Sequence, residues 1–119
     1  MSFLISLSLS MSFSMNDSDF KNLQVLPKNI QSKELLGIMT DDVQDALGVN
    51  CSYCHQKSNS GPGLDYASDS LAEKKIARLM MKMTLEMNEK YFHIQNPRLG
   101  SKELVITCET CHRGKTFPD

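Results

Sequence analysis

Tryptophan is absent from this 119-residue chain, and the other aromatics amount to three tyrosines and five phenylalanines. A core built from side chains alone is therefore expected to be modest. Neither sign of charge dominates, since 13 basic residues face 14 acidic ones for a formal net charge of −1. That balance leaves no basic footprint for nucleic acid. No apolar run reaches the ~20 residues that a membrane-spanning helix needs. The start of the chain has no basic residue before Lys21, no Ala-x-Ala cleavage word and no cysteine that could carry a lipid. Cysteine and histidine are also scarce, with four of one and three of the other.

What is there is concentrated in two words: Cys51-Ser52-Tyr53-Cys54-His55 and Cys108-Glu109-Thr110-Cys111-His112. Both are CxxCH, the attachment word for c-type haem. Two thiols at i and i+3 can add across the vinyl groups of one porphyrin, and the following His can reach its iron as the proximal ligand. The two words use every cysteine and two of the three histidines. Cys51, Cys54, Cys108 and Cys111 are thus expected to form the thioethers of two haem c groups, with His55 and His112 as proximal iron ligands.

Other chemistries use the same letters. A four-thiolate zinc site could draw on all four cysteines, but it gives no reason for a His after each pair and usually brings its pairs closer in sequence. A thioredoxin-like CxxC belongs in a βαβ unit, and no such pattern surrounds either word. Two structural disulfides suit an exported chain, yet they leave both histidines unexplained. Haem accounts for all six residues. Two porphyrins would also enlarge a modest core, so folding and cofactor attachment are expected to be coupled.

Residues 1–19 alternate apolar residues with serine and read as a weak or truncated signal-like leader rather than a folded strand. Residues 20–119 form one domain. Asp17 to Ile30 is an extended lead-in, and a helix follows with Ser32 as N-cap. Leu35, Leu36, Met39, Val43, Ala46 and Leu47 supply its apolar stripe, and Gly48 its C-cap. The first haem word comes next, then a loop from Lys57 to Asp69 containing Gly61-Pro62-Gly63. Ser70-Leu71-Ala72-Glu73 is a capping box for the longest helix, with Ile76, Met80, Met83, Met87 and Tyr91 on one face. Asn96-Pro97 and Gly100 interrupt the chain before Ser101 to Thr107, a short helix or extended stretch, delivers the second word. The fold class predicted is all-α: two helix-turn-CxxCH segments related by an approximate two-fold axis.

Each iron needs a sixth ligand, and His93 alone could not serve both haems. Methionine is plentiful at eight residues, and its thioether raises a haem's reduction potential. Met39 lies mid-helix, twelve residues before Cys51. For the second haem the candidates are Met80, Met81, Met83 and Met87, with Met81 off the apolar stripe. A methionine stripe is also ordinary core filling, so one ligand per helix is expected and the others pack.

Specific stretches resemble the cytochrome c subunit family of photosynthetic reaction centres. They are Asn22-Leu23-Gln24-Val25-Leu26, Leu35-Leu36-Gly37-Ile38-Met39 before the first word, Tyr66-Ala67-Ser68-Asp69, Ile76-Ala77-Arg78-Leu79-Met80-Met81-Lys82-Met83-Thr84, and Val105-Ile106-Thr107 running through the second word to Arg113-Gly114. The resemblance covers roughly residues 20 to 115. It implies helices that carry the axial methionine, and so points to Met39 for the first haem and Met80 for the second, with Met83 as the alternative. Members of that family look like two such halves with four haems, whereas this chain carries one half. The family also places a His after the long helix that serves the other half; His93 is near that position but offset. A photosynthetic role is therefore not implied, and a homodimer could supply a second half. The combined expectation is a dihaem c-type cytochrome, not an enzyme, in the periplasm or on the outer face of the cytoplasmic membrane. It would pass single electrons between a redox protein donor and acceptor, without a membrane span. A haem enzyme or sensor with one open iron is the first alternative, and a zinc-binding structural module the second.

Overall fold

The computed structural model describes residues 20–119, so the leader and the first part of the lead-in lie outside the described residues. Among the described residues the regular structure is helical, and the one β pairing is an isolated bridge between Lys57 and Leu64.

Helix α1, Ser32–Gly37, runs directly into a π-helical stretch, Ile38–Gln44, and then into α2, Asp45–Leu47. Ser32 is the first helical residue, with Gln31 in the N-cap position, a one-residue shift of the expected boundary. The π stretch was not legible, because a 3.6-residue apolar period does not distinguish i→i+5 from i→i+4 bonding. Locally, the Thr40 hydroxyl donates to the Leu36 carbonyl at 3.0 Å, and the Asp45 and Val49 N–H groups reach back to Thr40 and Gln44. Side-chain hydroxyls that bond backwards in this way disturb the regular ladder, and π segments inside helices frequently mark functional positions.

Gly48 ends the helix in the left-handed region at φ 64°, as its C-cap role requires. Close approach adds a second demand for glycine there, because a Cβ would lie 2.3 Å from the Gly114 carbonyl oxygen. The Gly114 N–H donates to the Ala46 carbonyl at 2.7 Å. The segment just after the second haem word is thereby docked on the end of the helix that precedes the first.

Helix α3, Ala72–Phe92, is the spine of the domain. Its expected capping box is not formed: Leu71 occupies the N-cap position without a side-chain cap, and the Ser70 hydroxyl bonds the Gln56 side chain instead. Starting the helix at Ala72 moves Ser70 one residue out of capping reach. The core lies where α3 meets the lead-in and the π stretch, and consists of Leu26, Ile30, Ile38, Met81 and Leu99. Met39 packs against this cluster, together with Leu35 and Val43.

The inward face of α3 differs from the expected stripe. Its buried residues are Lys74, Met81, Thr84 and Asn88, so Met81 belongs to the core, whereas Met80 and Met83 remain 42% and 43% exposed. Spacings of seven, three and four residues place this set on one side of the helix. Three of its four members are polar, so an apolar periodicity scan cannot find that face.

Lys74 anchors a clasp across three parts of the chain. Its Nζ donates to the carbonyls of Tyr66 at 2.9 Å and Ser68 at 2.6 Å, and lies 3.0 Å from Asp69 Oδ1. Arg78 donates to the same Asp69 oxygen at 2.9 Å and to the Asn22 carbonyl at 3.0 Å. Asn22 Nδ2 completes the clasp with bonds to Asp69 at 2.9 Å and the Ala67 carbonyl at 2.6 Å. Lead-in, loop and α3 thus meet at one carboxylate.

Hydrogen bonds from Asn22 and Lys74, reinforced by Arg78, hold the Asp69 carboxyl down at about 2. Because this value lies below the ordinary 3.8, the clasp contributes fully above that pH and its contribution is lost as pH falls through about 2. An acid titration followed by circular dichroism is expected to show a loss of stability between those values, and Asp69→Asn to remove that pH-dependent component.

Candidate haem-attachment site

The second haem word forms its own short helix, α4, Cys108–His112. Thr110 Oγ1 accepts the Thr107 N–H at 2.9 Å and closes its first turn. Cys108, Cys111 and His112 fall at i, i+3 and i+4, so all three share one face. That face lines a cleft of about 220 Å³ whose opposite wall is α3. Met80, Met83 and Met87 line the same cleft, as do Ile76 from α3 and Val43 and Leu47 from the first helical run. The methionine stripe expected on α3 is therefore one surface, as the spacing implied, but it faces the cleft rather than the packed core.

One fully buried side chain holds these walls together. Asn88 has 0% exposure and makes four hydrogen bonds. Its Nδ2 donates to the Thr84 and Ile106 carbonyls at 2.8 and 2.7 Å, while its Oδ1 accepts the N–H groups of Val105 and Ile106 at 2.8 and 3.1 Å. That is the full complement of two donors and two acceptances an amide can make. It fixes the chain just before Cys108 against α3, next to Met87 at the end of the methionine stripe. Sequence reasoning missed Asn88; the available signal was a poor helix former in the middle of a long helix.

His112 is oriented for ligation. Its Nδ1 lies 2.9 Å from the Lys115 carbonyl oxygen, which can only accept, so Nδ1 is the donor and Nε2 is the nitrogen turned away from that bond. Metal-bound histidines are typically fixed by such a bond through the other nitrogen. The surroundings of Cys108 are apolar enough that burial, followed by the Asp42 charge, pushes its thiol pKa up.

The first haem word is a single 3₁₀ turn, Cys51–Tyr53, extended by the His55 N–H bonding the Cys51 carbonyl at 3.0 Å. Cys51 is exposed, near Gln44, with its sulfur 3.6 Å from Oε1. Tyr53 and Cys54 reach the cleft lined by the second word. The His55 ring packs on Tyr66 with centroids 5.0 Å apart, and its buried Nδ1 has no hydrogen-bond partner. Burial, then the charge of Lys74, holds its pKa below the usual value, which favours the neutral ring that ligates metals. Burial raises the Cys54 thiol, with Glu73 adding to the effect. Met39 does not line this cleft; it packs against the core cluster, on the π-helical stretch.

These residues fit covalently attached haem: paired thiols on one side of an apolar cleft, a histidine with a free ring nitrogen beside them, and methionines on the facing wall. The rival arrangements are not assembled. None of the four cysteines is in a disulfide. Among the described residues, no three His, Cys, Asp or Glu side chains are gathered to hold a metal ion, so the four thiolates that a zinc module needs do not converge.

Comparison with known proteins points the same way. Residues 10–119 match the family described as photosynthetic reaction centre cytochrome C subunit. The photosynthetic reaction center cytochrome c subunit of Roseobacter denitrificans is 34% identical over 104 residues, which cover 78% of this chain and 26% of that protein. Cytochrome c-554 of Chloroflexus aurantiacus is 32% identical over 91 residues, covering 76% of this chain and 20% of the relative. The chain thus spans only a quarter to a fifth of the length of these relatives. No solved structure matches.

Replacing Asn88 by Ala would strand two N–H groups and a carbonyl near the second haem word. The expected cost is about 3 kcal/mol, read as a lowered midpoint in chemical denaturation of the holoprotein.

Proposed function

The chain belongs to the photosynthetic reaction centre cytochrome c subunit family, and we propose that it carries single electrons between protein redox partners through two covalently bound haems. The observation that carries this reading is the cleft shared by Cys108, Cys111 and His112 on one wall and the α3 methionines on the other. Cys51 and Cys54 would hold one haem and Cys108 and Cys111 the other, with His55 and His112 as the iron-ligating histidines and Met39 and Met80 as the thioether ligands; Met83 is the alternative to Met80.

When bound, haem supplies a one-electron couple between ferric and ferrous iron. The chain has to hold that couple with little rearrangement. The Lys115 carbonyl keeps the His112 ring in one tautomer and orientation, and Asn88 keeps α4 at a fixed height along α3. The methionine wall excludes water, and a thioether ligand favours the ferrous state. The apolar side chains exposed along the cleft, Ile76, Met80 and Met83 among them, gain a covering surface when a porphyrin occupies it. No bond is made or broken in substrate, so the activity is transfer rather than catalysis. Covalent haem attachment, a reaction completed outside the cytoplasm, supports a location in the periplasm or at the outer face of the cytoplasmic membrane. No helix among the described residues is long and apolar enough to cross a membrane.

Protein produced through a c-type maturation pathway is expected to keep two haems per chain after denaturation, measured by pyridine haemochrome absorption and intact mass. Absence of covalent haem would overturn the reading, and carbon monoxide binding to the native reduced protein would replace the carrier by an open-iron enzyme or sensor. Met80→Ala is expected to lower the potential of the second haem and abolish its sulfur-to-iron absorption band. An unchanged spectrum would transfer the ligand role to Met83 or Met87.

A further inference from the structure

Lys74 is a lysine in an unusual place. It is 8% exposed, and lysine is seldom buried unless its charge is matched. Here the match is incomplete. Lys74 and Arg78 both lean on one carboxylate, Asp69 Oδ1, at 3.0 and 2.9 Å. The remaining bonds of Lys74 go to neutral carbonyls, those of Tyr66 and Ser68. Two cations held by one anion leave a net positive charge fixed inside the fold. Tyr66 takes the ammonium on its carbonyl and packs its ring on His55, so one residue joins this charge to the imidazole of the first haem word.

We propose that Lys74 and Asp69 act as an opposed pair that sets the reduction potential of the haem at Cys51 and Cys54, Lys74 raising it and Asp69 restraining it. This inference rests on haem attachment at that word as proposed above. The ferric haem carries one more positive charge than the ferrous haem, so a nearby cation disfavours the oxidised form and an anion favours it. In a partly buried setting such charges are screened less than exposed ones. Asp69 and Glu73, the latter on the cleft wall beside Cys54, are both half-buried acids, and Lys74 is the buried cation among the described residues. Its link through Tyr66 runs to the first word and not to the second.

The test is a redox titration of the holoprotein followed by haem absorption, with the first-haem step identified by its loss in a Cys51→Ala/Cys54→Ala variant. Lys74→Met is expected to shift that step to lower potential, Lys74→Arg to leave it close to the parent, and Asp69→Asn to shift it upward. The step of the second haem is expected to move less in every variant. Opposite signs are the deciding result, because simple loosening of the clasp admits water and stabilises ferric haem in both cases. Shifts in the same direction for Lys74→Met and Asp69→Asn, or no shift in either, would overturn the proposal. If Lys74→Met fails to fold, Asp69→Asn decides by its sign. A parent protein without haem at Cys51 and Cys54 would instead overturn the function from which this inference starts.

Discussion

The Asn88 side chain is the contact on which the geometry of the second site depends. Its four hydrogen bonds tie residues 105 and 106 to α3. Cys108, Cys111 and His112 follow that tie on one side, and on the other the Gly114 N–H bond to the Ala46 carbonyl docks the end of α4. An amide suits the task because it can satisfy two donors and two acceptors of an irregular backbone at once. Buried networks of this kind specify a single arrangement when complete and are costly when broken. The short helix α4 could not place itself, since a five-residue helix has little stability without tertiary contacts.

Helix α3 consequently has two working faces. One carries Lys74, Met81, Thr84 and Asn88 inward, where Lys74 and Asn88 bond backbone outside the helix, Met81 packs in the apolar cluster, and Met81 and Thr84 also border the cleft. The other presents Ile76, Met80, Met83 and Met87 to the cleft. A helix of 21 residues can serve both faces because successive turns repeat the same orientation. Methionine is well suited to the cleft face, being flexible enough to follow a flat ligand and soft enough to meet iron.

The two haem words are chemically alike and structurally unlike. The second is an α-helical turn whose histidine is fixed by a carbonyl three residues on. The first is a 3₁₀ turn whose histidine rests on Tyr66 beside a clasp of two cations and one carboxylate. Gly48 and Gly114 bring the two segments together at backbone contact. Equal motifs therefore stand in unequal surroundings.

The sequence by itself determined the family and the helical class. CxxCH is a covalent requirement carried by five adjacent residues, so its meaning survives without knowledge of the fold. The long helix over 72–92 and the left-handed Gly48 were legible for a similar reason, since both follow from local backbone preference. The family was legible from ordered short stretches, and the clasp explains part of their order: Asn22, Tyr66 to Asp69 and Arg78 are far apart in the chain and meet at one carboxylate. Only the tertiary structure decided which side of α3 is core, because its buried positions are mostly polar and an apolar period does not mark them. It also decided that Met80, Met83 and Met87 face a cleft and that a buried lysine is joined to His55 through Tyr66. The position of the second word rests on Asn88 bonds to residues 17 and 18 positions away, which no local pattern encodes.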